Sequence, residues 1–142
     1  METLSVKITN QRPEIARLSE IVEEFMDSND VPMNVSFAID LAMDELLTNV
    51  ITYGFPEDSY HEIDVDFELT DEEIIVTITD DGIPFNPLEQ EDADTTLSID
   101  EREIGGLGIH LVKKTMNSME YQRIGNKNVL TLKKSLVNVV ED

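Results

Sequence analysis

A long apolar helix is predicted in the first half of the sequence, and it limits the possible folds. Apolar side chains recur at helical spacing over about 33–53, between a break at residues 28–32 and the glycine Gly54. The stripe consists of Val35, Ile39, Ala42, Leu46, Val50 and Tyr53. Such a helix packs its stripe against a second layer of structure, so a layered fold is expected.

The second layer is predicted to be a sheet, because apolar and polar residues alternate in several segments. Five segments alternate apolar and polar side chains, as strands with one buried face do. These strands are predicted at 3–9, 63–69, 74–78, 119–123 and 129–136, and two further helices at about 13–27 and 105–117. Because four of the five strands fall in two hairpins, the predicted fold is an α+β two-layer sandwich in one domain, 1–142. Its sheet is expected to be mixed and mostly antiparallel, with the helices on one face.

The negative charge of the chain restricts its partners. There are 31 acidic and 10 basic residues, a net charge of −21, which repels nucleic acid and anionic membranes over most of the surface. We therefore expect no nucleic-acid partner and no membrane partner. The chain has no cysteine, no apolar run of bilayer length and no secretory signal pattern at its N-terminus, so a cytoplasmic location is predicted.

Two polar residues, Glu45 and Asn49, lie one turn apart on the flank of the long helix, beside the small residues Ala38 and Ala42. At 100° per residue, their side chains are about 40° apart. Asn49 offers a hard oxygen suited to Mg²⁺, and Glu45 is able to orient or deprotonate a nucleophile. Taken alone, such a pair is more often the edge of a core than a site.

A second candidate feature is the turn that contains Asp80 and Gly82, directly after a strand. A carboxylate at a strand end can point into a cleft and accept a hydrogen bond from an exocyclic amine such as that of adenine. The glycine lets the backbone approach a flat ring closely. The alternative is a plain Asp-Gly turn between strands.

A third feature is the glycine cluster at 105–108, which begins the third helix after a segment without periodicity at 86–104. Glycines at a helix start expose N–H groups to phosphate, and the preceding segment is predicted to act as a lid. The histidines, His61 and His110, have no carboxylate or second histidine at ligand spacing. They are interpreted as ordinary surface or core-edge residues.

The order and spacing of the three features carry a resemblance that none of them carries alone. The motifs Glu45-Leu-Leu-Thr-Asn49, Asp80-Asp-Gly82 and Gly106-Leu-Gly108 resemble the N, G1 and G2 boxes of the ATPase superfamily of gyrase, MutL and sensor histidine kinases. The implied fold is the Bergerat α/β sandwich, from the first strand to Leu136. Within the superfamily, residues 44–54, 80–87 and 105–113 are similar to the branch of anti-sigma factors and serine-protein kinases.

The resemblance implies a role for each residue. Glu45 would be the general base, Asn49 would bind the Mg²⁺ of Mg-ATP, and Asp80 would bind the adenine amine. Gly82 would pack beside the ring. The other residues expected to contact the nucleotide are Gly106, Leu107 and Gly108 at the phosphates and Thr131, which would place a hydroxyl near Asp80.

The same resemblance implies an activity and partners. The chain would bind ATP and ADP, and it would use Mg-ATP to phosphorylate a serine on a STAS-domain antagonist. It would also bind a sigma factor in a partner switch. A homodimer through the first strand and helix is a further expectation.

Two departures from the family pattern favour an alternative, a nucleotide-gated partner-binding regulator with little or no kinase activity. Pro84 replaces the last glycine of the usual Asp-x-Gly-x-Gly, and the acidic lid offers only Arg102 to phosphate.

Overall fold

The computed structural model describes residues 1–55, 59–89 and 104–137. Within them the chain forms five strands and three α-helices, each within two residues of its predicted bounds. In chain order these are β1 (Glu2–Thr9), α1 (Pro13–Ser28), α2 (Met33–Tyr53), β2 (Glu62–Leu69), β3 (Glu73–Asp80), α3 (Ile104–Thr115), β4 (Ser118–Ile124) and β5 (Lys127–Ser135). The prediction of an α+β fold is confirmed.

The strands form one sheet in the order β1-β2-β3-β5-β4, and every pairing between the described strands is antiparallel. The sheet is therefore not mixed, and that detail of the prediction is wrong. Strands β3 and β4 each pair antiparallel with β5, so they run in the same direction. However, β5 lies between them and separates what would otherwise be a parallel pair.

One face of the sheet is buried. Along β2, β3 and β5 every second side chain is buried, and α1 and α2 bury their own apolar faces in the same core. The strand residues that point into this core include Ile63, Val65, Phe67, Ile74, Val76, Ile78, Leu130 and Leu132. In the part of the chain that the structure describes, no helix has the length and apolarity needed to cross a membrane.

Only three polar side chains are buried among the described residues. They are Asn49 on α2, Asp80 at the end of β3 and Asn128 on β5. A buried polar group is costly unless it is paired or used. These residues therefore mark the region of the core where a site is expected.

Candidate functional site

Asp80 occupies a buried position at the C-terminal end of β3. Its side chain is only 3% exposed, and its Oδ1 accepts hydrogen bonds from the backbone N–H of Gly82 and from Nδ2 of Asn128, each at 2.9 Å. Burial raises the pKa of Asp80, and the hydrogen bonds from Asn128 and Gly82 oppose that rise. None of the described residues donates to Oδ2. The second carboxylate oxygen is thus free to accept a hydrogen bond from a ligand.

Asn128 fixes both Asp80 and the turn that follows it. Asn128 is the cross-strand partner of Asp80 and is 4% exposed. Its Nδ2 also donates to the carbonyl oxygen of Ile83 at 2.8 Å, and its Oδ1 accepts from the backbone N–H of Phe85 at 3.3 Å. These two bonds hold the backbone on either side of Pro84. The turn is therefore held in place although it lacks the last glycine of the expected motif.

Two side chains of β4 complete this network. The guanidinium of Arg123 donates to the carbonyl oxygen of Gly82 at 2.8 Å and to Oδ1 of Asn128 at 3.2 Å. The hydroxyl of Tyr121 donates to the same Oδ1. The amide of Asn128 thereby makes five hydrogen bonds within the described residues, which leaves it no freedom to reorient.

Thr131 does not lie near Asp80, and that prediction is wrong. Thr131 pairs across the strands with Thr77, whereas Asp80 pairs with Asn128. Successive side chains of a strand point to opposite faces, so Thr131 lies on the open face and Asn128 on the buried face. Asn128 occupies the place expected for Thr131 and supplies an amide instead of a hydroxyl.

Gly82 is required by the protein's own packing. The N–H of Ile83 donates to the carbonyl oxygen of Gly54 at 3.0 Å, which draws the turn against the end of α2. A Cβ atom at Gly82 would overlap that carbonyl oxygen and lie 3.0 Å from Oδ1 of Asp80. A ring-facing role for Gly82 remains a prediction, but a side chain is already excluded by the close approach of the two backbones.

Asn49 has a buried amide nitrogen that lacks a hydrogen-bond partner in the described part of the chain. The residue is 5% exposed, and its Nδ2 makes no hydrogen bond to any described residue. Leaving such a group unpaired costs about 1–3 kcal/mol, so it is expected to be used. It precedes Gly54, which contacts the Asp80 turn, by five residues, about 7.5 Å along the helix axis.

The position of Asn49 fits a magnesium ion that binds together with a phosphate-bearing ligand. The amide of Asn49 can rotate to present oxygen, a ligand that Mg²⁺ accepts. Among residues 1–55, 59–89 and 104–137, no three His, Cys, Asp or Glu side chains cluster as a metal site. A cation here would therefore depend on phosphate oxygens for most of its coordination, as Mg²⁺ commonly does.

Glu45 lies against the glycine helix. A Cβ atom at Gly108 would overlap the Glu45 side chain, from its Cγ to its carboxyl group, so Glu45 keeps this position only because residue 108 has no side chain. Partial burial raises the pKa of Glu45, and the neighbouring charge of Asp44 adds to the rise. The structure thus brings the first and third sequence motifs together, with a carboxyl group of raised proton affinity between them.

Comparison with known proteins decides the family. A sequence model of the histidine kinase-like ATPase domain matches residues 8–134, which include α1 to α3 and most of the sheet. The chain belongs to this ATPase family. The resemblance noted from the three motifs is confirmed.

Individual members of the ATPase family are similar over most of the chain. The serine/threonine-protein kinase BtrW of Bordetella bronchiseptica is 29% identical over 96 residues, 68% of each chain. The anti-sigma F factor of Oceanobacillus iheyensis is 27% identical over 99 residues, 70% of this chain and 68% of that one. The anti-sigma F factor of Clostridium perfringens is 27% identical over 124 residues, 87% of this chain and 81% of that one.

Part of the predicted nucleotide site of this ATPase domain lies outside the described residues. The predicted lid at 86–104 begins with a 3₁₀ turn at Pro87–Glu89, and residues 90–103, including Arg102, are not described. Gly106 and Leu107 lie in the first turn of α3, at the end of the helix where the first backbone N–H groups have no acceptor within it. Their roles at the phosphates remain predictions.

His61 has a carboxylate partner, Asp81, that residue spacing in the sequence did not indicate. Its Nδ1 lies 2.8 Å from Oδ1 of Asp81, its Nε2 lies 2.8 Å from the Ser59 hydroxyl, and its ring stacks on Phe55 at 4.7 Å between centroids. The pairing of β2 with β3 brings together residues that are 20 positions apart. His61 therefore supports the outer side of the turn that carries Asp80.

Proposed function

We propose that this chain is a Mg-ATP-dependent serine/threonine kinase of the anti-sigma factor type. It would transfer the γ-phosphoryl group of ATP to a serine on a STAS-domain antagonist in the cytoplasm, and it would bind a sigma factor in a partner switch. The observation that carries the proposal is the contact between Gly108 and the Glu45 carboxyl group, which sets a candidate base at the start of the glycine helix. The names of the similar proteins, a serine/threonine kinase and anti-sigma F factors, support it.

The buried carboxylate would select the nucleotide. Oδ2 of Asp80 would accept a hydrogen bond from the exocyclic amine of adenine, because Oδ1 is already occupied by Gly82 and Asn128. Guanine presents a carbonyl oxygen at the corresponding ring position, which would repel the carboxylate. The proposed site therefore prefers ATP and ADP to GTP.

The two polar residues of α2 would act on the phosphate end. Mg²⁺ bound with the nucleotide would neutralise charge that develops on the transferring phosphoryl group, and Asn49 would hold it. Backbone groups at the start of α3, at Gly106, Leu107 and Gly108, would bind phosphate oxygens, with the N–H groups of the two glycines as donors. Glu45 would take the proton of the substrate serine, and its raised pKa makes it a better base near neutral pH.

Phosphoryl transfer to a serine tests the role of Glu45. Radiolabelled ATP, Mg²⁺ and a purified STAS-domain substrate would be incubated with wild type, Glu45→Gln and the adjacent control Asp44→Asn. Loss of a general base lowers the rate by about 10²–10⁴-fold, so phosphoserine formation should fall in Glu45→Gln and stay near wild type in Asp44→Asn. ATP affinity, measured by calorimetry, should change little in either variant.

The same experiment separates the two candidate functions. Equal transfer by wild type and Glu45→Gln would remove Glu45 from the mechanism. No transfer by wild type, together with a partner affinity that differs between ATP and ADP, would favour the nucleotide-gated regulator, to which Pro84 and the acidic lid point.

We also propose that the chain forms a homodimer through β1 and α1. Strand β1 lies at the edge of the sheet, with β2 as its neighbour, and an edge strand presents unpaired backbone groups that a second copy can use. Sedimentation velocity of wild type and of a variant with Val6→Pro tests this. A monomeric wild type at micromolar concentration would contradict it.

A further inference from the structure

A groove between α1 and α2 lies outside the proposed nucleotide site. It encloses about 530 Å³ and is lined by side chains of both helices, among them Leu18, Val22 and Met43 from the core. A neighbouring hollow at the start of α2 shares Glu23, Phe37 and Asp40 with it. Neither Glu45 nor Asn49 lines either cavity, so the groove uses the opposite flank of α2.

Large apolar side chains stand exposed at this groove. Phe37 is 70% exposed and lines both cavities, and Met33, one turn before it on α2, is 86% exposed. An exposed aromatic ring beside an apolar hollow is a common feature of protein-binding surfaces, because such rings supply most of the binding energy when covered. The groove therefore presents apolar surface to something other than the chain's own core.

Carboxylates surround the apolar floor. The acidic residues that line the two cavities are Glu20, Glu23, Glu24 and Asp27 on α1 and Asp40 and Asp44 on α2. Arg12 is the single basic residue among the described lining side chains, and it donates to the Thr52 hydroxyl at 2.9 Å. The rim thus has a strong excess of negative charge.

Asp40 shows how crowded the carboxylates are. Burial, followed by the hydrogen bond and charge of Glu23, raises the pKa of Asp40 to about 6, and the Ser19 hydroxyl, 3.4 Å from Oδ1, opposes the rise. A guanidinium or ammonium group between Asp40 and Glu23 would relieve this repulsion.

We propose that the groove between α1 and α2 binds an amphipathic helix of a partner protein, which lays its apolar face on Phe37 and its arginine or lysine side chains on the acidic rim. From Met33 to Thr48 the groove side of α2 is about 22 Å long, enough for about four turns of a bound helix. The acidic residues that line the groove on α1 and α2 would meet the same carboxylates in a second copy, so this groove fits a basic helix better than a second copy. The inference does not depend on kinase activity.

A designed peptide tests the proposal on the full chain. The probe is a fluorescein-labelled helical peptide, about four turns long, with leucine along one face and arginine along the other, and its control has glutamate in place of every arginine. Anisotropy titrations at physiological salt would use wild type, Phe37→Ser, the double variant Glu23→Gln/Asp40→Asn and the charge-matched control Asp66→Asn/Glu68→Gln. The control pair lies on the open face of the sheet, where it removes the same charge.

The expected result is binding of the arginine peptide to wild type and not of the glutamate peptide. Affinity should fall at least about tenfold in Phe37→Ser and in the groove double variant, and less than about twofold in the control pair. Amide shifts of labelled protein should cluster on α1 and α2, and Mg-ATP binding should be unchanged in all variants.

Several results would overturn the inference. An equal loss of peptide affinity in Glu23→Gln/Asp40→Asn and in Asp66→Asn/Glu68→Gln would mean that net charge alone attracts the peptide. No binding by wild type, or amide shifts confined to the sheet, would place the partner surface elsewhere. A lower sedimenting mass for Phe37→Ser than for wild type would make the groove a contact between copies of this chain.

Discussion

Replacing Asn128 with alanine is the perturbation that the geometry of the site makes most specific. The substitution removes two donated hydrogen bonds, to Oδ1 of Asp80 and to the carbonyl oxygen of Ile83. It also removes the acceptor of the Tyr121 hydroxyl, the Phe85 N–H and the Arg123 guanidinium. The side chain is buried, so water does not readily replace these partners.

The expected cost follows from those contacts. A bond to a charged group contributes about 1.5–3 kcal/mol and a neutral bond about 0.5–1.5 kcal/mol, while relaxation of the Pro84 turn recovers part of the sum. We expect Asn128→Ala to lower the free energy of unfolding by about 2–4 kcal/mol. It should also raise the pKa of Asp80 further, since the bond from Asn128 lowers that pKa in the wild type.

Urea denaturation followed by circular dichroism is the assay, and Thr131→Ala is the matched control. Thr131 lies on the same strand but on the open face, so its replacement should change stability by less than about 1 kcal/mol and leave ATP affinity unchanged. ATP affinity should fall in Asn128→Ala because Asp80 is no longer held. The reasoning is refuted if Thr131→Ala weakens ATP binding while Asn128→Ala binds and unfolds like wild type.

Three further perturbations have distinct expected outcomes. Gly82→Ala should lower the free energy of unfolding by about 1–3 kcal/mol, because its Cβ meets the fixed carbonyl oxygen of Gly54, and thermal denaturation would show it. In Gly108→Ala the added Cβ meets the Glu45 side chain from its Cγ outward, and this side chain can turn away, so stability should change by less than about 1 kcal/mol while serine phosphorylation falls about 10²-fold; an unchanged rate would contradict the contact. The pKa of Asp40 is about 6 in the folded chain and 3.8 in a model peptide, so the folded state holds the extra proton and stability falls as pH rises from about 4 to 6. That difference corresponds to about 3 kcal/mol, which solvent screening at this half-exposed group reduces to about 1 kcal/mol, so Asp40→Asn should gain about 1 kcal/mol at pH 7.5 and nothing at pH 4 in urea titrations.

The sequence predicted the elements well because burial follows periodicity. The alternating pattern of β3 places Asp80 on the same face as Val76 and Ile78, and the structure buries it there. The same rule, applied to β5, would have found Asn128. Asn128 lies two residues before the buried Leu130 and so points to the same face of the strand, whereas Thr131 points to the other face. The error at Thr131 therefore came from following the family resemblance instead of the two-residue periodicity of the strand.

Other features depend on strand register and chain packing, which no local pattern contains. The contact of His61 with Asp81 requires the pairing of β2 with β3, and the contact of Glu45 with Gly108 requires a particular approach of α3 to α2. The strand order is of the same kind, since β5 lies between β3 and β4 only in the folded sheet. Motif spacing predicted the candidate site residues, but their contacts came only from the structure.

Isothermal titration calorimetry of Mg-ATP with Asp80→Asn, beside Asp81→Asn, tests whether the buried carboxylate of Asp80 binds the nucleotide. The asparagine keeps the shape of the side chain but can present an N–H where Oδ2 would meet the adenine amine. Wild type and Asp81→Asn should bind within about threefold of each other, and Asp80→Asn should bind at least about tenfold more weakly. An affinity for Asp80→Asn equal to that of wild type would contradict nucleotide recognition by this buried carboxylate.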